Sequence, residues 1–323
     1  MTLPAYVNRP SDPVHLQPFA CLNTRLYGFL IKGNAKTMQQ RLVDPALNAP
    51  AGGATDYRVI SDRVLVTYAH TGQGRSLTPP DSEIGYLPED SWTVWIPLVA
   101  VKMEFGIAVA QRVVFFPTYI CVDNFWSMAA GREVYGFPKS IGPVALPGVG
   151  EAPVRLSAAT LVIETYSQNA KANLKPVMQI DRTAEGTMTG AVWGDIEQAF
   201  KALVHAWTDG ADSIIVPGWN LLVDIFKILT HKEVPTVFLK QFRDAANGTR
   251  ACYQAVIEAP CVTTALHGAG PLPGTFQATV VNFDTHPIQS DLGLAGPVVA
   301  ADFAFWADLD FTAEMGTEIW KAP

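Results

Sequence analysis

The chain has 323 residues, of which 49% are hydrophobic and only 16% are charged, and its formal net charge is -7. Its lysines and arginines are scattered, with no basic run or stripe, so the composition argues against binding to a nucleic-acid backbone. The charged fraction lies below the roughly 25% of an average soluble protein. Few charges are left to cover the surface, so we expect other copies of the chain to cover part of it, as in a homo-oligomer. No linker-like stretch or internal repeat is visible, and we expect a single domain over residues 1–323.

The sequence shows no sign of secretion or membrane insertion. The N-terminus lacks the cationic start and apolar core of a signal peptide. The most apolar long stretch, 92–122, is interrupted by charged residues and prolines, so it cannot supply the about 20 clean apolar residues of a membrane span. The four cysteines have no C-x-x-C spacing, which is typical of reduced thiols, although Cys252 and Cys261 could pair in an oxidising compartment. We therefore expect a cytoplasmic protein that does not bind membranes.

The first half of the chain mixes helical and extended patterns. Apolar residues recur at helical spacing in NAKTMQQRLVDPAL (34–47), which predicts a helix. Runs rich in β-branched and aromatic residues then predict strands at 63–70, 93–102 and 112–122. VDNFWSMAAGREV (122–134) predicts a second helix, with Asp123 as its N-cap.

The second half contains more strands than helices. Similar runs predict strands at 159–167, 236–242, 251–260 and 275–286. A helix is expected at 194–210, with an apolar face formed by Ile196, Phe200, Leu203 and Trp207. The stretch 220–232 is apolar nearly all round and predicts a buried helix. Together these patterns, with further strands expected after residue 265, predict an α+β fold built mainly on antiparallel sheet.

The segment GREVYGFPKS (131–140) places a lysine in an apolar setting. Pro138 biases Phe137 towards extended backbone, so the preceding helix should end near Tyr135–Gly136 and Lys139 should begin an extended segment. In an apolar wall, desolvation lowers the pKa of an ammonium. A neutral amine can attack a carbonyl and form a Schiff base. The alternative is a surface lysine whose stem covers the aromatic rings while its charge reaches water.

AAGREVYGFPKS resembles the Schiff-base segment of the acetoacetate decarboxylase superfamily, which reads Gly-Arg-Glu, an apolar residue, two variable positions and aromatic-Pro-Lys. The resemblance extends more weakly from about Asn23 to Pro260. It implies an α+β fold, mainly antiparallel, with a central closed β-barrel or cone and flanking helices. It also implies a lyase in which Lys139 forms the imine, with Phe137 and Ser140 contacting the substrate.

The resemblance implies three further site residues. NTRLYGF places Arg25 at the arginine that binds the substrate carboxylate, and TRACYQAV places Tyr253 where a polar group faces the imine. GYLPED places Glu89 at an active-site glutamate, although this alignment needs a small insertion and leaves Glu83 and Glu104 as alternatives. Glu89 or Tyr253 would then move protons as general acid or base.

One departure from the family pattern bears on the chemistry. The decarboxylases proper carry a second lysine directly after the reactive one, and here that residue is Ser140. A neighbouring cation is one way to activate an amine, so its loss favours aldolase–dehydratase-like chemistry on a 2-keto acid such as pyruvate over acetoacetate decarboxylation. Both reactions use a small keto acid and need no metal or organic cofactor. A non-catalytic barrel that binds small molecules is the alternative of another class.

Overall fold

The computed structural model describes residues 4–9, 14–53, 55–105, 107–148, 151–186, 192–208 and 232–323. Most of these residues belong to one extended sheet. Its strands are β1 (Phe19–Lys32), β2 (Asp56–Val59), β3 (Arg63–Ser76), β4 (Leu87–Glu104), β5 (Ile107–Val122), β6 (Lys139–Ile141), β7 (Val144–Ala145), β8 (Arg155–Val162), β9 (Asn173–Ala184), β10 (Glu233–Arg243), β11 (Ala251–Pro271), β12 (Thr275–Val280), β13 (Val298–Ala313) and β14 (Thr317–Lys321).

Seven long strands close into a barrel, in the spatial order β1, β3, β4, β5, β10, β11 and β13. All neighbours are antiparallel except β5 and β10, which meet through the parallel pair Thr236 and Phe115. Pairing of β11 with β13, and of β13 with β1, completes the ring. The predicted α+β fold with a central closed barrel is therefore confirmed. Beyond β13 the sheet continues through β12, β9, β8 and β7.

Strands β1, β3 and β4 of the barrel bury both faces over much of their length. On the outer side of β1, β3 and β4, Phe29, Val66 and Val94 have no exposed surface and belong to the same apolar cluster as Ile180 and Ala278 of the sheet extension. The alternate residues of the same strands face the barrel interior, because successive side chains of a strand point to opposite faces. This double burial explains why the strands read as nearly continuous apolar runs and why the charged fraction is low.

The helices are short and flank the barrel. They are α1 (Ala35–Met38), α2 (Ala49–Ala51), α3 (Phe125–Ala130), α4 (Ile196–Thr208) and α5 (Ile288–Leu292). A π-helical stretch, Gln39–Asn48, joins α1 to α2, and another, Gly131–Tyr135, extends α3. The predicted helices at 34–47, 122–134 and 194–210 are thus present, whereas the one expected at 220–232 lies outside the described residues. Among the described helices, none is long and apolar enough to cross a membrane.

The predicted N-cap of α3 is wrong by one residue. The side-chain oxygen of Asn124 accepts hydrogen bonds from the backbone N–H groups of Trp126 (2.9 Å) and Ser127 (3.3 Å), so Asn124 is the N-cap. Asp123 instead accepts a hydrogen bond from the backbone N–H of Asp90 (2.8 Å) and thereby ties the start of α3 to β4. Both residue types cap helices well, and the tertiary contact with β4 decided between them.

Two predicted strands end earlier than their patterns suggest. The run 159–167 leaves the sheet after β8, and the run 275–286 leaves it after β12. Beyond these ends the two segments bind each other through side chains, because Ile163 N–H donates to Thr285 Oγ1 (3.0 Å) and Tyr166 N–H donates to Asp284 Oδ2 (2.7 Å). Asp and Thr side chains compete in this way with sheet pairing.

The turn after α3 depends on a glycine. Gly136 has φ 90, a backbone conformation that L side chains rarely adopt. The N–H groups of Gly136 and Phe137 both donate to the Gly131 carbonyl at 3.1 Å, which ends the helical segment. A Cβ at position 136 would lie 2.5 Å from Lys240 Cα, on the backbone of β10. The chain therefore reverses here only because residue 136 has no side chain.

We expect Gly136→Ala to lower the free energy of unfolding by about 2 kcal/mol or more, since it combines an unfavourable φ with a backbone clash. Denaturant unfolding of the purified variant measures this. Gly248→Ala is the matched control, because no atom lies within 4 Å of a Cβ built there. Equal stability of the two variants would contradict the importance of this turn.

Candidate active site

A cavity of about 370 Å³ lies inside the barrel. It is lined by alternate residues of the long strands, such as Leu87, Glu89, Ser91, Thr93 and Trp95 of β4. Most of its wall is apolar. A cavity of this size falls within the range of roughly 300–1,000 Å³ that is usual for small-molecule sites, and a few polar groups within an apolar wall are typical of them.

Lys139 reaches into this cavity from the first residue of β6. Its Nζ donates a hydrogen bond to Ser127 Oγ at 2.6 Å and lies 3.6 Å from Glu89 Oε2. The side chains of Lys139 and Glu89 are only 14% and 17% exposed. The amine of Lys139 therefore faces the cavity and not bulk water. Lys139 is not the surface lysine of the alternative interpretation.

The helix–turn–strand segment around Lys139 is shaped to hold its side chain. Ser127 and Gly131 lie four residues apart on the same helical segment, so they share one face. That face packs against Lys139: a Cβ at position 131 would lie 2.8 Å from Lys139 Cδ and 3.2 Å from its Nζ. Arg132 Nη1 donates to the Lys139 carbonyl at 3.1 Å, and β6 pairs in parallel with β5 at Ile120. Gly131 leaves the space that the lysine side chain occupies.

Phe137 forms the aromatic wall beside the amine. Its ring centroid lies 5.6 Å from Lys139 Nζ. The ring packs edge-to-face on Phe238, with centroids 4.2 Å apart, and on Tyr135, with centroids 5.4 Å apart. These rings belong to one buried cluster, which fixes the position of Phe137 in the cavity wall.

Glu89 is the one of the three candidate glutamates that lies beside Lys139. Glu83 is exposed at the end of a single helical turn, and Glu104 is exposed at the far end of β4. The alignment with the family needed a small insertion after Glu89, but Glu89 still lies in the cavity wall.

Arg25 does not line the cavity in the part of the chain that the structure describes. Its neighbour Leu26 does, so Arg25 points to the opposite face of β1. There the guanidinium makes a bidentate ion pair with Asp308 on β13, with Nε 2.6 Å from Oδ1, and its Cζ lies 5.7 Å from the Trp306 ring centroid. The hydrogen bonds to Asp308 raise the pKa of Arg25. Its role as a carboxylate ligand stays a prediction.

Ser140 and Tyr253 also lie away from the amine. Ser140 Oγ donates to the Ile120 carbonyl at 2.9 Å, on the side of β6 opposite to the Lys139 side chain. The Tyr253 hydroxyl donates to Glu318 Oε1 at 2.5 Å, and burial together with this bond raises the pKa of Tyr253. Neither residue is among the described residues of the cavity wall. Their roles in substrate contact and proton transfer stay predictions.

Ser127 and His15 are site residues that the sequence reading missed. The helical spacing of Ser127 and Gly131 just before the lysine is a signal that could have found Ser127. His15 lines the cavity beside Phe19 and Trp126, with ring centroids 6.0 and 5.6 Å away. Its Nε2 is buried without a hydrogen-bond partner among the described residues, and burial lowers its pKa while Asp81 opposes this shift. Nothing in the sequence around His15 indicates this placement.

Two cysteines also line the cavity. All four cysteines of the chain are free, so the alternative of a Cys252–Cys261 disulfide is not realised. Burial raises the pKa of Cys261 to about 12. Burial also raises the pKa of Cys21, with a further increase from Glu89 and a decrease from Lys139. At neutral pH both thiols stay protonated, so they do not compete with Lys139 as nucleophiles.

Within the described ranges, no three His, Cys, Asp or Glu side chains cluster as metal ligands.

Comparison with known proteins identifies the fold. The acetoacetate decarboxylase of Legionella pneumophila superposes with a TM-score of 0.60 at 13% identity, covering 99% of this chain and 93% of that one. The enduracididine biosynthesis enzyme MppR complexed with pyruvate gives a TM-score of 0.55 at 12% identity, covering 96% and 93%. An acetoacetate decarboxylase-like enzyme from Sphingomonas wittichii gives 0.54 at 13% identity, covering 98% of each chain. No protein-family model and no curated protein sequence matches the chain.

The chain therefore has the acetoacetate decarboxylase-like fold. The resemblance first read from GREVYGFPKS is confirmed at this level, and the likeness extends over nearly the whole chain and not only over the motif. At 12–13% identity the likeness defines the architecture, and the chemistry has to be argued from the cavity itself.

We expect iodoacetamide at pH 7.5 to alkylate the exposed Cys252 more than 100-fold faster than Cys261 in the native protein. The thiolate is the reactive form, and a pKa of about 12 leaves very little of it on Cys261. Peptide mass mapping after timed quenching measures both rates, and the unfolded protein in denaturant is the control, where the two should react alike. Comparable rates in the native protein would contradict the enclosed cavity wall.

Proposed function

We propose that the protein is a Schiff-base-forming lyase that acts on a keto acid through Lys139. The observation that carries this proposal is the amine inside the cavity, 2.6 Å from the Ser127 hydroxyl and 3.6 Å from the Glu89 carboxylate. A carbonyl compound entering the cavity meets a nucleophile together with an acid–base partner, which is the arrangement that imine chemistry needs. Support comes from the fold, which the chain shares with acetoacetate decarboxylase and with an enzyme complexed with pyruvate.

For a 2-keto acid the proposed reaction runs through an enamine. In its neutral form the amine of Lys139 attacks the C2 carbonyl, loss of water gives the imine, and the imine nitrogen takes up a proton to form the iminium. Glu89 takes a proton from C3, and the electron pair of that C–H bond forms the enamine. The enamine C3 then attacks the carbonyl carbon of an aldehyde, and the alkoxide that forms takes a proton to give a hydroxyl group. Loss of this hydroxyl and of the second C3 proton as water forms a C=C bond. Hydrolysis of the imine then frees Lys139 and the product. The iminium itself withdraws the electrons, so the proposal requires no metal or organic cofactor.

Decarboxylation of a 3-keto acid such as acetoacetate is the second candidate. The same imine would accept the electron pair of the breaking C–CO₂ bond, and an apolar wall favours the loss of a charged carboxylate as neutral CO₂. One observation favours the 2-keto acid. Ser140 stands where the decarboxylases that the sequence resembles carry a second lysine, and its hydroxyl is committed to the Ile120 carbonyl. Glu89 beside the amine is compatible with either reaction.

We expect borohydride reduction in the presence of pyruvate to attach one reduced pyruvate to Lys139, and Lys139→Ala to abolish this adduct while the protein still folds. Intact mass and peptide mapping measure the adduct. Lys240→Gln is the matched control. Lys240 is also partly buried, and burial lowers its pKa, so it is the competing candidate for the reactive amine. Its Nζ donates to the Val134 carbonyl at 3.0 Å, and Lys240 is not among the described residues of the cavity wall.

The results of this experiment, together with an assay of CO₂ release from acetoacetate, separate the candidates. An adduct on Lys139 that survives in Lys240→Gln supports the proposal. An adduct on Lys240 would show that the reactive amine belongs to Lys240 and not to Lys139. No adduct with pyruvate or acetoacetate favours the non-catalytic barrel that binds small molecules, and release of CO₂ from acetoacetate favours the decarboxylase.

We expect Glu89→Gln to slow exchange of the C3 protons of pyruvate in D₂O by about 10²–10⁴-fold, because a general base contributes roughly that factor. Proton NMR of the pyruvate methyl signal measures the exchange. Borohydride trapping of the same variant should still label Lys139, which separates proton transfer from imine formation. Unchanged exchange would remove Glu89 from the mechanism and leave the lysine in place.

A further inference from the structure

The cavity is much longer than a three-carbon or four-carbon keto acid. Along β4 its wall runs through alternate residues from Leu87 past Glu89 to Trp95. The strand rises by about 20 Å from Glu89 to Trp95, at ~3.3 Å per residue. Pyruvate held by Lys139 would occupy only the part of the cavity beside Glu89.

The end away from Glu89 is aromatic. Trp207 of α4 packs on Phe115, with ring centroids 5.3 Å apart. Trp193 lies over Phe305, with centroids 6.1 Å apart. These four residues line the same cavity as Lys139, and Trp95 joins them. No charged side chain is among the described lining residues at this end. Such a surface binds an apolar group by removing it from water, and it offers little to a polar one.

α4 contributes one side of this surface, and strands β4, β5 and β13 contribute Trp95, Phe115 and Phe305. Leu203 and Trp207 of the predicted apolar face line the cavity, while the side chains of Ile196 and Phe200 lie outside the described residues. Trp207 is only 6% exposed, and Phe305 is 8% exposed. The rings of Trp207 and Phe305 are thus packed in place, and they still leave cavity volume between them and the amine.

We propose that the condensed 2-keto acid that forms at Lys139 carries an extended alkyl or aryl tail, which lies along the barrel from Lys139 to Trp207 and Phe305. The proposal rests on the proposed function, because it assigns the keto acid end to Lys139. In that reaction the tail is the substituent that the aldehyde contributes, so the condensed keto acid fills the cavity and pyruvate alone fills one end of it.

The strand register identifies a position that separates the two ends. Leu309 of β13 pairs with Thr24 of β1, Thr24 pairs with Thr71 of β3, and Thr71 pairs with Glu89 of β4. Leu309 and Glu89 therefore lie in one row across neighbouring strands. Phe305 of the same strand belongs to the aromatic end. Ala307 lies between them and lines the cavity. A large side chain at 307 would therefore block the path of the tail between the amine and the aromatic end.

The test is borohydride trapping with a series of saturated 2-keto acids, namely pyruvate, 2-oxohexanoate and 2-oxooctanoate. The concentration that labels half of Lys139 is measured for each by intact mass. Burial of each added methylene should lower it about 3-fold, and we expect at least a 30-fold difference between pyruvate and 2-oxooctanoate. In Ala307→Phe the ratio of the two concentrations should fall towards one.

Ala300→Phe is the matched control, since it makes the same change at an exposed position of the same strand and should keep the ratio of the parent protein. If Ala307→Phe does not fold, Ala307→Leu serves in its place. Equal concentrations for all three acids, with the adduct on Lys139, would overturn the tail and leave the proposed function intact. Absence of an adduct with every acid would overturn the proposed function, and the tail with it.

Discussion

An amine inside an apolar barrel needs polar groups to replace the water that it has lost, because a buried polar group without a hydrogen-bond partner is unfavourable. Ser127 and Glu89 supply those groups for Lys139. Gly131 leaves the space for its side chain, and Gly136 turns the chain so that the lysine enters the cavity. The arrangement around this one side chain therefore accounts for Ser127, Gly131 and Gly136 in the segment from α3 to β6.

The barrel turns this local arrangement into a site. Closure through the pairing of β11 with β13 gives an enclosed interior, and packing of the outer faces against the sheet extension holds the long strands in place. The interior then has a polar end at Lys139 and an aromatic end at α4. Proteins that share this fold at 12–13% identity keep the architecture while their side chains differ. The shape and polarity of the interior are consequently where this chain's own specificity resides.

Much of the fold could be predicted because its long strands carry strong local patterns. The runs at 63–70, 93–102 and 112–122 form the cores of β3, β4 and β5, which extend beyond them. β1 gave a weaker signal, since its register shifts between Cys21 and Thr24 and Asn23 has a positive φ, which interrupts the alternation that marks a strand. That the strands close into a barrel came from the family resemblance, and which strands pair was decided by the tertiary structure.

For the site, the sequence by itself determined what depends on neighbouring residues: the end of the helix at Gly136, the extended start of β6 and the reactive candidate Lys139. Only the tertiary structure decided the rest. It places Glu89 beside the amine, pairs Arg25 with Asp308 on the other face of β1, and brings His15 and Trp207 to the cavity. The physical reason is that a turn is fixed by the φ preferences of adjacent residues, whereas side chains from distant strands meet through register and barrel closure, which no short stretch of sequence encodes.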